Sequence, residues 1–234
     1  MLAVDHLILS KNDQLILSEL SFQVQPNVVT ALIGPSGSGK TSLLRCIAGL
    51  ESYQGTIQLN NLPLDGLAPE KRSLGYVEQD NTLLPHLTAA DNIAYPLKLR
   101  KQAPVMIAQA VNTLAAQLQL TAVLKRYPHQ LSGGEQRRVM LARTMVYQPK
   151  ILLFDEPFAG VDALLRVELV RLLKQQLAAL RLPVLYVTHD LAEANYIADQ
   201  AIVLRAGTIT AANIWAALKQ QPDPWLQTFL AQHF

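Results

Sequence analysis

The sequence has almost no cysteine: Cys46 is the single one among 234 residues. One cysteine cannot form an intramolecular disulfide, and no cluster of cysteine and histidine has the spacing of a zinc site. Charge is also scarce, at 16% of residues, and 20 lysines and arginines nearly balance 18 aspartates and glutamates. Because there is neither a basic excess nor a basic run, we expect no binding of nucleic acid.

Long hydrophobic runs are missing as well. No stretch approaches the roughly 18 consecutive apolar residues of a membrane-spanning helix. Asp5 and His6 lie where a signal peptide would keep its apolar core. Half of the residues are nevertheless hydrophobic and the mean hydropathy is +0.16. This composition excludes a disordered chain. It predicts a soluble, cytoplasmic globular protein that buries part of its surface against something else.

Short apolar runs typical of strands occur at both ends of the sequence, and a block rich in Ala, Leu and Gln lies between them. The apolar pattern predicts strands at residues 2–9, 20–24, 28–33, 56–59, 74–77, 151–154, 184–188 and 201–204. It predicts helices at residues 42–50, 91–99, 105–118, 132–147 and 162–180, a tight turn at residues 205–208 and a helical tail from residue 213.

This order of elements predicts the α/β fold class. We expect a mostly parallel sheet with crossover helices, an antiparallel β region at the N-terminus and an inserted α-helical subdomain. The expected organisation is a single domain over residues 1–234. Its α/β core comprises residues 1–80 and 149–210, its helical subdomain residues 81–148 and its C-terminal helical tail residues 211–234.

Residues 34–41, GPSGSGKT, match the pattern G-x-x-x-x-G-K-[ST] and stand between a predicted buried strand and a predicted helix. Glycines let the backbone turn its N–H groups toward phosphates, and the helix N-terminus adds a positive dipole end. We therefore expect a P-loop NTPase core that binds a nucleotide. Lys40 would reach the β- and γ-phosphates, and the Thr41 hydroxyl would bind Mg²⁺.

A second chemical element is the apolar run at residues 151–154, which ends in Asp155 and Glu156. The first acid is placed to help hold Mg²⁺, and the second to polarise an attacking water. A strand that ends in surface carboxylates is common by itself. Its pairing with a phosphate-binding loop indicates nucleotide hydrolysis.

Residues 131–138, LSGGEQRR, end the helical block. With this signature the sequence resembles the nucleotide-binding subunits of ATP-binding cassette (ABC) transporters. Further motifs of that family follow the family's order along nearly the whole chain: Gln79 resembles the Q-loop glutamine, residues 158–162 the D-loop and His189 the switch histidine.

The resemblance implies that ATP and Mg²⁺ are the cofactors and that the protein is an ATPase. The implied metal or metal-water ligands are Thr41, Gln79 and Asp155. Glu156 is implied as the general base and His189 as the sensor of the γ-phosphate. The implied ATP-binding residues are Gly34, Pro35, Ser36, Gly37, Ser38, Gly39, Lys40, Thr41, Ser42 and Gln79.

The signature has a physical logic of its own. Ser132, Gly133 and Gly134 precede a predicted helix, so their N–H groups and the helix dipole form a second anion site. The resemblance implies that this site faces the ATP of a second copy, with Asp162 reaching across the interface. One phosphate loop and one signature per chain then imply a dimer with two ATP molecules between its subunits.

The sequence departs from the family pattern at three places. Residues 11–13, KND, stand where many members place an aromatic residue that stacks on adenine, so we expect adenine to be held without such stacking. Glu78 precedes the Q-loop glutamine where an apolar residue is commoner, and Gly160 and Val161 replace alanine and leucine in the D-loop. Since the phosphate and metal residues are intact, hydrolysis is expected to survive.

Three classes of ABC protein remain open. Soluble members of DNA repair need a long coiled coil between phosphate loop and signature, where no sustained heptads occur. Translation factors carry two cassettes in one chain. A transporter subunit is therefore favoured. Residues 85–88, 91–97 and 155–158 most resemble bacterial importers of small solutes such as oxyanions, thiamine, sulfonates or metals. An exporter of lipids, lipoproteins or small molecules is the alternative.

The importer resemblance implies transmembrane permease subunits as partners and, indirectly, a substrate-binding protein. The chain would bind peripherally at the cytoplasmic face of the inner or plasma membrane. Since the sequence ends soon after its last predicted strand, we expect no appended regulatory domain. The cargo is set by other subunits and cannot be named from this chain.

Overall fold

The computed structural model describes residues 1–79 and 83–231. Residues 80–82 and 232–234, where the predicted helical subdomain begins and the predicted tail ends, lie outside the described residues. Within the described part, no helix combines the length and the apolar character needed to cross a bilayer.

The strands and helices of the first third of the chain are β1 (Leu2–Lys11), β2 (Gln14–Val24), β3 (Val29–Ile33), α1 (Lys40–Ala48), β4 (Gln54–Leu59), β5 (Leu62–Pro63) and β6 (Leu74–Val77). The middle contains α2 (Ala89–Leu99), α3 (Pro104–Gln117), α4 (Gly133–Met145), β7 (Ile151–Asp155) and α5 (Ala163–Ala178). The remainder contains β8 (Val184–Val187), α6 (Leu191–Ile197), β9 (Gln200–Arg205), β10 (Thr208–Ile214), α7 (Trp215–Leu218) and α8 (Pro224–Ala231).

The strands form two sheets. The first has four strands in the order β2-β1-β4-β5, all paired antiparallel. The second has six strands in the order β10-β9-β3-β8-β7-β6. In it β3 runs parallel to both β8 and β9, β7 runs parallel to β8, and β10 is antiparallel to β9. The prediction of an α/β fold with a largely parallel sheet and an antiparallel N-terminal region is confirmed.

The chain divides into two compact units. The first comprises Met1–Tyr76, Lys150–Glu156 and Leu180–Phe234, and the second comprises Val77–Pro149 and Pro157–Ala179. The helix α5, which lies in the range predicted for the α/β core, thus belongs to the second unit together with α2, α3 and α4. The division into core, subdomain and tail that the sequence suggested stays a prediction.

The core of the first unit is built mainly from leucine, isoleucine and valine. These side chains come from β1, β2, α1 and β4 and from alternate positions of the parallel strands, such as Ile151 and Leu153 of β7. All five residues of β7 are buried, as is usual for a strand covered on both faces. Burial of each such leucine side chain stabilises the folded state by about 1.5–3 kcal/mol. Because β3, β7 and β8 all contribute side chains to this core, it holds these three strands in place.

The C-terminal region differs from its prediction at one point. Residues 211–214, which lie in the predicted helical tail, instead form the end of β10 and pair with residues 200–203 of β9. The helical segments begin only at Trp215, and α8 begins at Pro224. Pairing with β9 extends the strand to Ile214, and a local sequence pattern does not reveal this long-range partner.

Candidate functional site

The phosphate loop, residues 34–41, connects the buried strand β3 to the N-terminus of α1 in the first unit. Gly34 has φ 151°, and a Cβ there would overlap the carbonyl oxygen of Leu204 in β9. The close approach of β9 therefore requires glycine at this position. This close contact with β9, together with the connections to β3 and α1, restricts the conformation of the loop backbone.

Lys40 is folded back over the loop. Its Nζ donates hydrogen bonds to the carbonyl oxygens of Gly34, at 2.9 Å, and Pro35, at 2.8 Å. The residue is only 8% exposed. Burial lowers the pKa of Lys40, and the nearby carboxylates of Glu156 and Asp155 oppose this effect. The cation therefore lies at the loop, where oxygens of a bound phosphate could replace its two carbonyl partners.

Ser38 provides a test of whether the loop fits a phosphate. Its Oγ is buried and has no hydrogen-bond partner among the described residues. An unsatisfied buried hydroxyl costs about 1–3 kcal/mol. A phosphate oxygen in the loop would supply the missing acceptor, so the residues present fit the triphosphate of a nucleotide.

Asp155 lies at the end of β7 and is 3% exposed. Thr41 Oγ1 donates to its Oδ1 at 3.2 Å, and the Tyr76 hydroxyl donates to its Oδ2 at 3.4 Å. Burial raises the pKa of Asp155, the two hydrogen bonds work against this, and neighbouring Glu156 adds to it. Tyr76 was not among the predicted site residues, because its place at this carboxylate depends on β6 joining the second sheet.

The paired oxygens of Thr41 and Asp155 have the chemistry that Mg²⁺ prefers. Within residues 1–79 and 83–231, no group of three or more His, Cys, Asp or Glu side chains could hold a metal. A site with one carboxylate and one hydroxyl fits Mg²⁺, which usually completes its shell with water and substrate phosphates.

Glu156 follows Asp155 and has φ 47°, an unusual value for a residue with a side chain. Its N–H donates to the carbonyl oxygen of Val187 at the end of β8. Its Oε2 lies 3.0 Å from Nδ1 of His189. Because β7 and β8 are parallel neighbours, their carboxyl ends bring the two side chains together, which spacing along the chain does not reveal.

Residues 11–13, at the junction of β1 and β2, contain no aromatic side chain on which adenine could stack. Asn12 and Asp13, both with positive φ, form the two-residue turn between β1 and β2. Lys11 Nζ lies 2.7 Å from Glu51 Oε1, and Arg45 Nε lies 3.0 Å from the same oxygen. These partners lower the pKa of Glu51, the hydrogen bond from Lys11 most. No local sequence pattern predicts this cluster, because Glu51 is remote from Lys11 along the chain.

In the second unit, Ser132 is the N-cap of α4. Its Oγ accepts a hydrogen bond from the Glu135 N–H at 3.2 Å, and its own N–H donates to Glu135 Oε2 at 2.7 Å. This capping box lowers the pKa of Glu135. Ser132 and Gly133 are exposed, and a Cβ on Gly133 would meet no other atom. The N-terminus of α4 is therefore open to a ligand.

Asp162 is the N-cap of α5, where its Oδ1 accepts from the Leu165 N–H at 3.1 Å. Arg137 of α4 donates to the carbonyl oxygen of Ala159 at 3.1 Å, which ties α4 to the segment before Asp162. A cavity of about 630 Å³ opens here and is lined by Gln79, Gly133 and Asp162 among others. The structure thus groups the predicted residues of the Q-loop, signature and D-loop within the second unit.

The family model described as ABC transporter matches residues 17–159. The chain belongs to the ABC transporter family. The matched range includes the phosphate loop, Gln79, the signature and both acids of the β7 end. The roles of the individual site residues, as read from the family motifs, stay predictions.

Several relatives cover most of this chain. The 2-aminoethylphosphonate import ATP-binding protein PhnT of Salmonella typhimurium is 39% identical over 94% of this chain and 60% of its own length. The sulfate/thiosulfate import ATP-binding protein CysA of Synechocystis is 39% identical over 92% of this chain and 61% of its own. CysA of Mycobacterium tuberculosis is 41% identical over 84% of this chain and 56% of its own length. The chain thus spans about 60% of the length of these ABC relatives.

Proposed function

We propose that this chain is the ATP-hydrolysing subunit of a membrane ABC importer. The observation that carries the proposal is the arrangement in the first unit. The phosphate loop with its buried Lys40, the Thr41–Asp155 pair and the Glu156–His189 pair all lie at the carboxyl ends of neighbouring parallel strands. This set contains a phosphate cradle, a cation site and a base with an orienting partner.

ATP binds with its phosphates against the N–H groups of the loop, and Lys40 and Ser38 Oγ contact phosphate oxygens. Thr41 and Asp155 would hold Mg²⁺, and Gln79 would be a further ligand on the ground of the family motif alone. When bound, the metal neutralises phosphate charge. The hydrogen bond from Thr41 already directs the Asp155 carboxylate toward the loop.

Hydrolysis uses Glu156 as general base. Its carboxylate accepts a proton from the water that attacks the γ-phosphorus, the bond to the bridging oxygen breaks, and ADP and phosphate leave. Nδ1 of His189, 3.0 Å from Oε2, orients the carboxylate when it donates to it. In the other tautomer the hydrogen is on Nε2, and Nε2–H would donate to a γ-phosphate oxygen, which is the sensing role that the family motif suggests.

A second copy completes the site. The open N-terminus of α4 suits a phosphate group of that copy's ATP, because unpaired N–H groups and a helix dipole attract anions. Leu164, 83% exposed, and Val167, also exposed, lie on α5 just after Asp162. Apolar side chains beside a polar anion site suit a surface that is covered in a dimer.

Permease subunits bind the second unit in this proposal. A groove of about 520 Å³ between α2 and α3 has an apolar floor that includes Ala94, Ile107 and Val111. Leu99, Val105 and Met106 stand exposed nearby on the same helices. Apolar surface of this kind favours a protein contact, and it would place the chain peripherally at the cytoplasmic face of the membrane.

Import rather than export is supported by the names of the relatives, which are import ATP-binding proteins. Those names specify 2-aminoethylphosphonate and sulfate or thiosulfate, which share a tetrahedral oxyanion group. Solutes of this class, delivered by a substrate-binding protein, are the first cargo to test.

Substitution of the base tests the proposal. Glu156→Gln should keep ATP binding but slow phosphate release at least about a hundredfold, since general bases contribute about 10²–10⁴. It should also accumulate an ATP-bound dimer in light scattering. Glu70→Gln, at an exposed acid in the Pro69–Lys71 turn, is the control and should keep normal turnover. Unchanged phosphate release by Glu156→Gln would contradict the assignment.

A further inference from the structure

The turn between β9 and β10 lies directly against the phosphate loop. Arg205 and Thr208 pair across it, and Ala206 and Gly207 have φ 47° and 75°. Positive φ at both central residues is typical of a tight two-residue hairpin. The turn contains none of the family's motif residues quoted for this chain.

Gly207 makes two main-chain hydrogen bonds that join different parts of the first unit. Its N–H donates to the carbonyl oxygen of Ser38 in the phosphate loop, at 3.2 Å. Its carbonyl oxygen accepts from the N–H of Ser18 in β2, at 2.9 Å. The turn is therefore anchored on β2 and supports the loop from behind.

The Ser38 carbonyl needs such a partner for a simple reason. A loop that turns its N–H groups toward a phosphate turns carbonyl groups away from it. Ser38 is only 3% exposed, so an outward carbonyl cannot rely on water and must find a protein donor. Gly207 N–H is that donor.

Gly207 also has no room for a side chain. A Cβ at this residue would overlap the carbonyl oxygen of Ile16 in β2. To relieve that overlap the turn would have to move away from β2, and the N–H would move away from Ser38. Gly66 offers a contrast, because its φ is 71° and a Cβ there would meet nothing within 4 Å.

We propose that Gly207 is a positioning residue for the phosphate loop, which holds the Ser38 carbonyl outward so that the loop's N–H groups face the nucleotide. Gly207 itself does not touch ATP. The inference rests on the proposed binding of ATP at residues 34–41. It adds the β9–β10 turn to the elements that determine affinity.

The test compares Gly207→Ala with Gly66→Ala. Both substitutions force alanine into the same left-handed backbone, so both should lower the thermal unfolding midpoint. Only Gly207→Ala should weaken ATP binding to the purified chain, by at least about tenfold, with KM raised and kcat within about twofold of wild type. Equal affinities of the two variants, or a fall in kcat alone, would overturn the inference.

Wild-type protein and Lys40→Ala are measured in the same titration. If the wild type binds no ATP, or Lys40→Ala binds as tightly, the proposed function fails. If those two behave as expected and Gly207→Ala binds like wild type, only the positioning role fails.

Amide hydrogen exchange of the wild-type chain tests the inference even if Gly207→Ala fails to fold. Saturating ATP should slow exchange of the Gly207 amide at least about tenfold, because the bound loop holds its Ser38 carbonyl in place. Protection of Gly39 and Lys40 amides by ATP without any change at Gly207 would contradict the inference.

Discussion

The two units present their functional residues in opposite ways. In the first unit two charged groups are buried and hydrogen-bonded: Lys40 donates to loop carbonyls, and Asp155 accepts from Thr41 and Tyr76. In the second unit, Ser132 and Asp162 are exposed, and their side-chain oxygens serve as helix caps. The first site is preorganised within one chain, whereas the second presents an open helix end that, in the proposed function, a second copy of the chain completes. Substitutions should therefore act on chemistry in the first unit and on association in the second.

Removal of the buried cation should have the largest effect. Lys40→Ala deletes the charge over the loop, and we expect at least a hundredfold loss of ATP affinity, about 2.7 kcal/mol. Titration with ATP at constant ionic strength measures it. Lys71→Ala, at an exposed lysine of the same unit, is the matched control. Tight ATP binding by Lys40→Ala would show that the first unit does not depend on its buried charge, and would contradict the difference between the two units.

Arg72 should be the next most sensitive position. Its guanidinium donates to the carbonyl oxygens of Cys46 and Ile47 at the end of α1, and to that of Leu67. Arg72→Met removes the guanidinium donor from these carbonyls, and we expect a loss of about 2 kcal/mol in the free energy of unfolding. Urea denaturation measures it. Arg72→Lys should recover part of the loss, and a wild-type midpoint for Arg72→Met would show that α1 does not depend on this contact.

In the second unit, Gly133→Val separates association from folding. A side chain at Gly133 meets no other atom in the chain, so the unfolding free energy should change by less than about 0.5 kcal/mol. It would cover the open end of α4, and we expect ATP hydrolysis to fall at least about tenfold while ATP binding by the first unit is retained. If hydrolysis is normal, no ligand or partner uses this helix end.

A smaller effect on stability should come from the ionisation of Asp155, and it should depend on pH. Because burial raises its folded pKa above the ordinary 3.8, its ionisation costs stability as pH rises from that value through the folded pKa. Asp155→Asn should therefore unfold at a slightly higher urea concentration than wild type at pH 7. This advantage should shrink as pH falls toward 3.8, where wild-type Asp155 becomes protonated in both states.

Asp155→Asn should also reduce the Mg²⁺-dependent hydrolysis of ATP, so that stability and activity change in opposite directions. Asp5→Asn, at an exposed aspartate, is the control and should alter neither. Greater stability of wild-type protein than of Asp155→Asn at pH 7 would show that its hydrogen bonds outweigh burial.

Much of the site was predictable because its parts are contiguous. The loop at residues 34–41, the two acids that follow the apolar run of β7 and the signature at residues 131–138 are each recognisable within a few residues. The strand β6, Leu74–Val77, lies where the apolar pattern predicts it. The residues that were missed are Tyr76, Arg72 and Gly207. Their contacts join segments that are distant in the sequence, and neither residue type nor spacing signals them. The continuation of β10 through Ile214 was missed for the same reason.

The sequence by itself determined the fold class, the family and the chemical groups, because these depend on local pattern and on motifs with fixed spacing. Only the tertiary structure decided which groups meet: His189 with Glu156, Tyr76 with Asp155, and the Gly207 N–H with the Ser38 carbonyl. The physical reason is that parallel strands place their carboxyl ends side by side regardless of their distance along the chain. Burial at that edge then requires every polar group to find a partner.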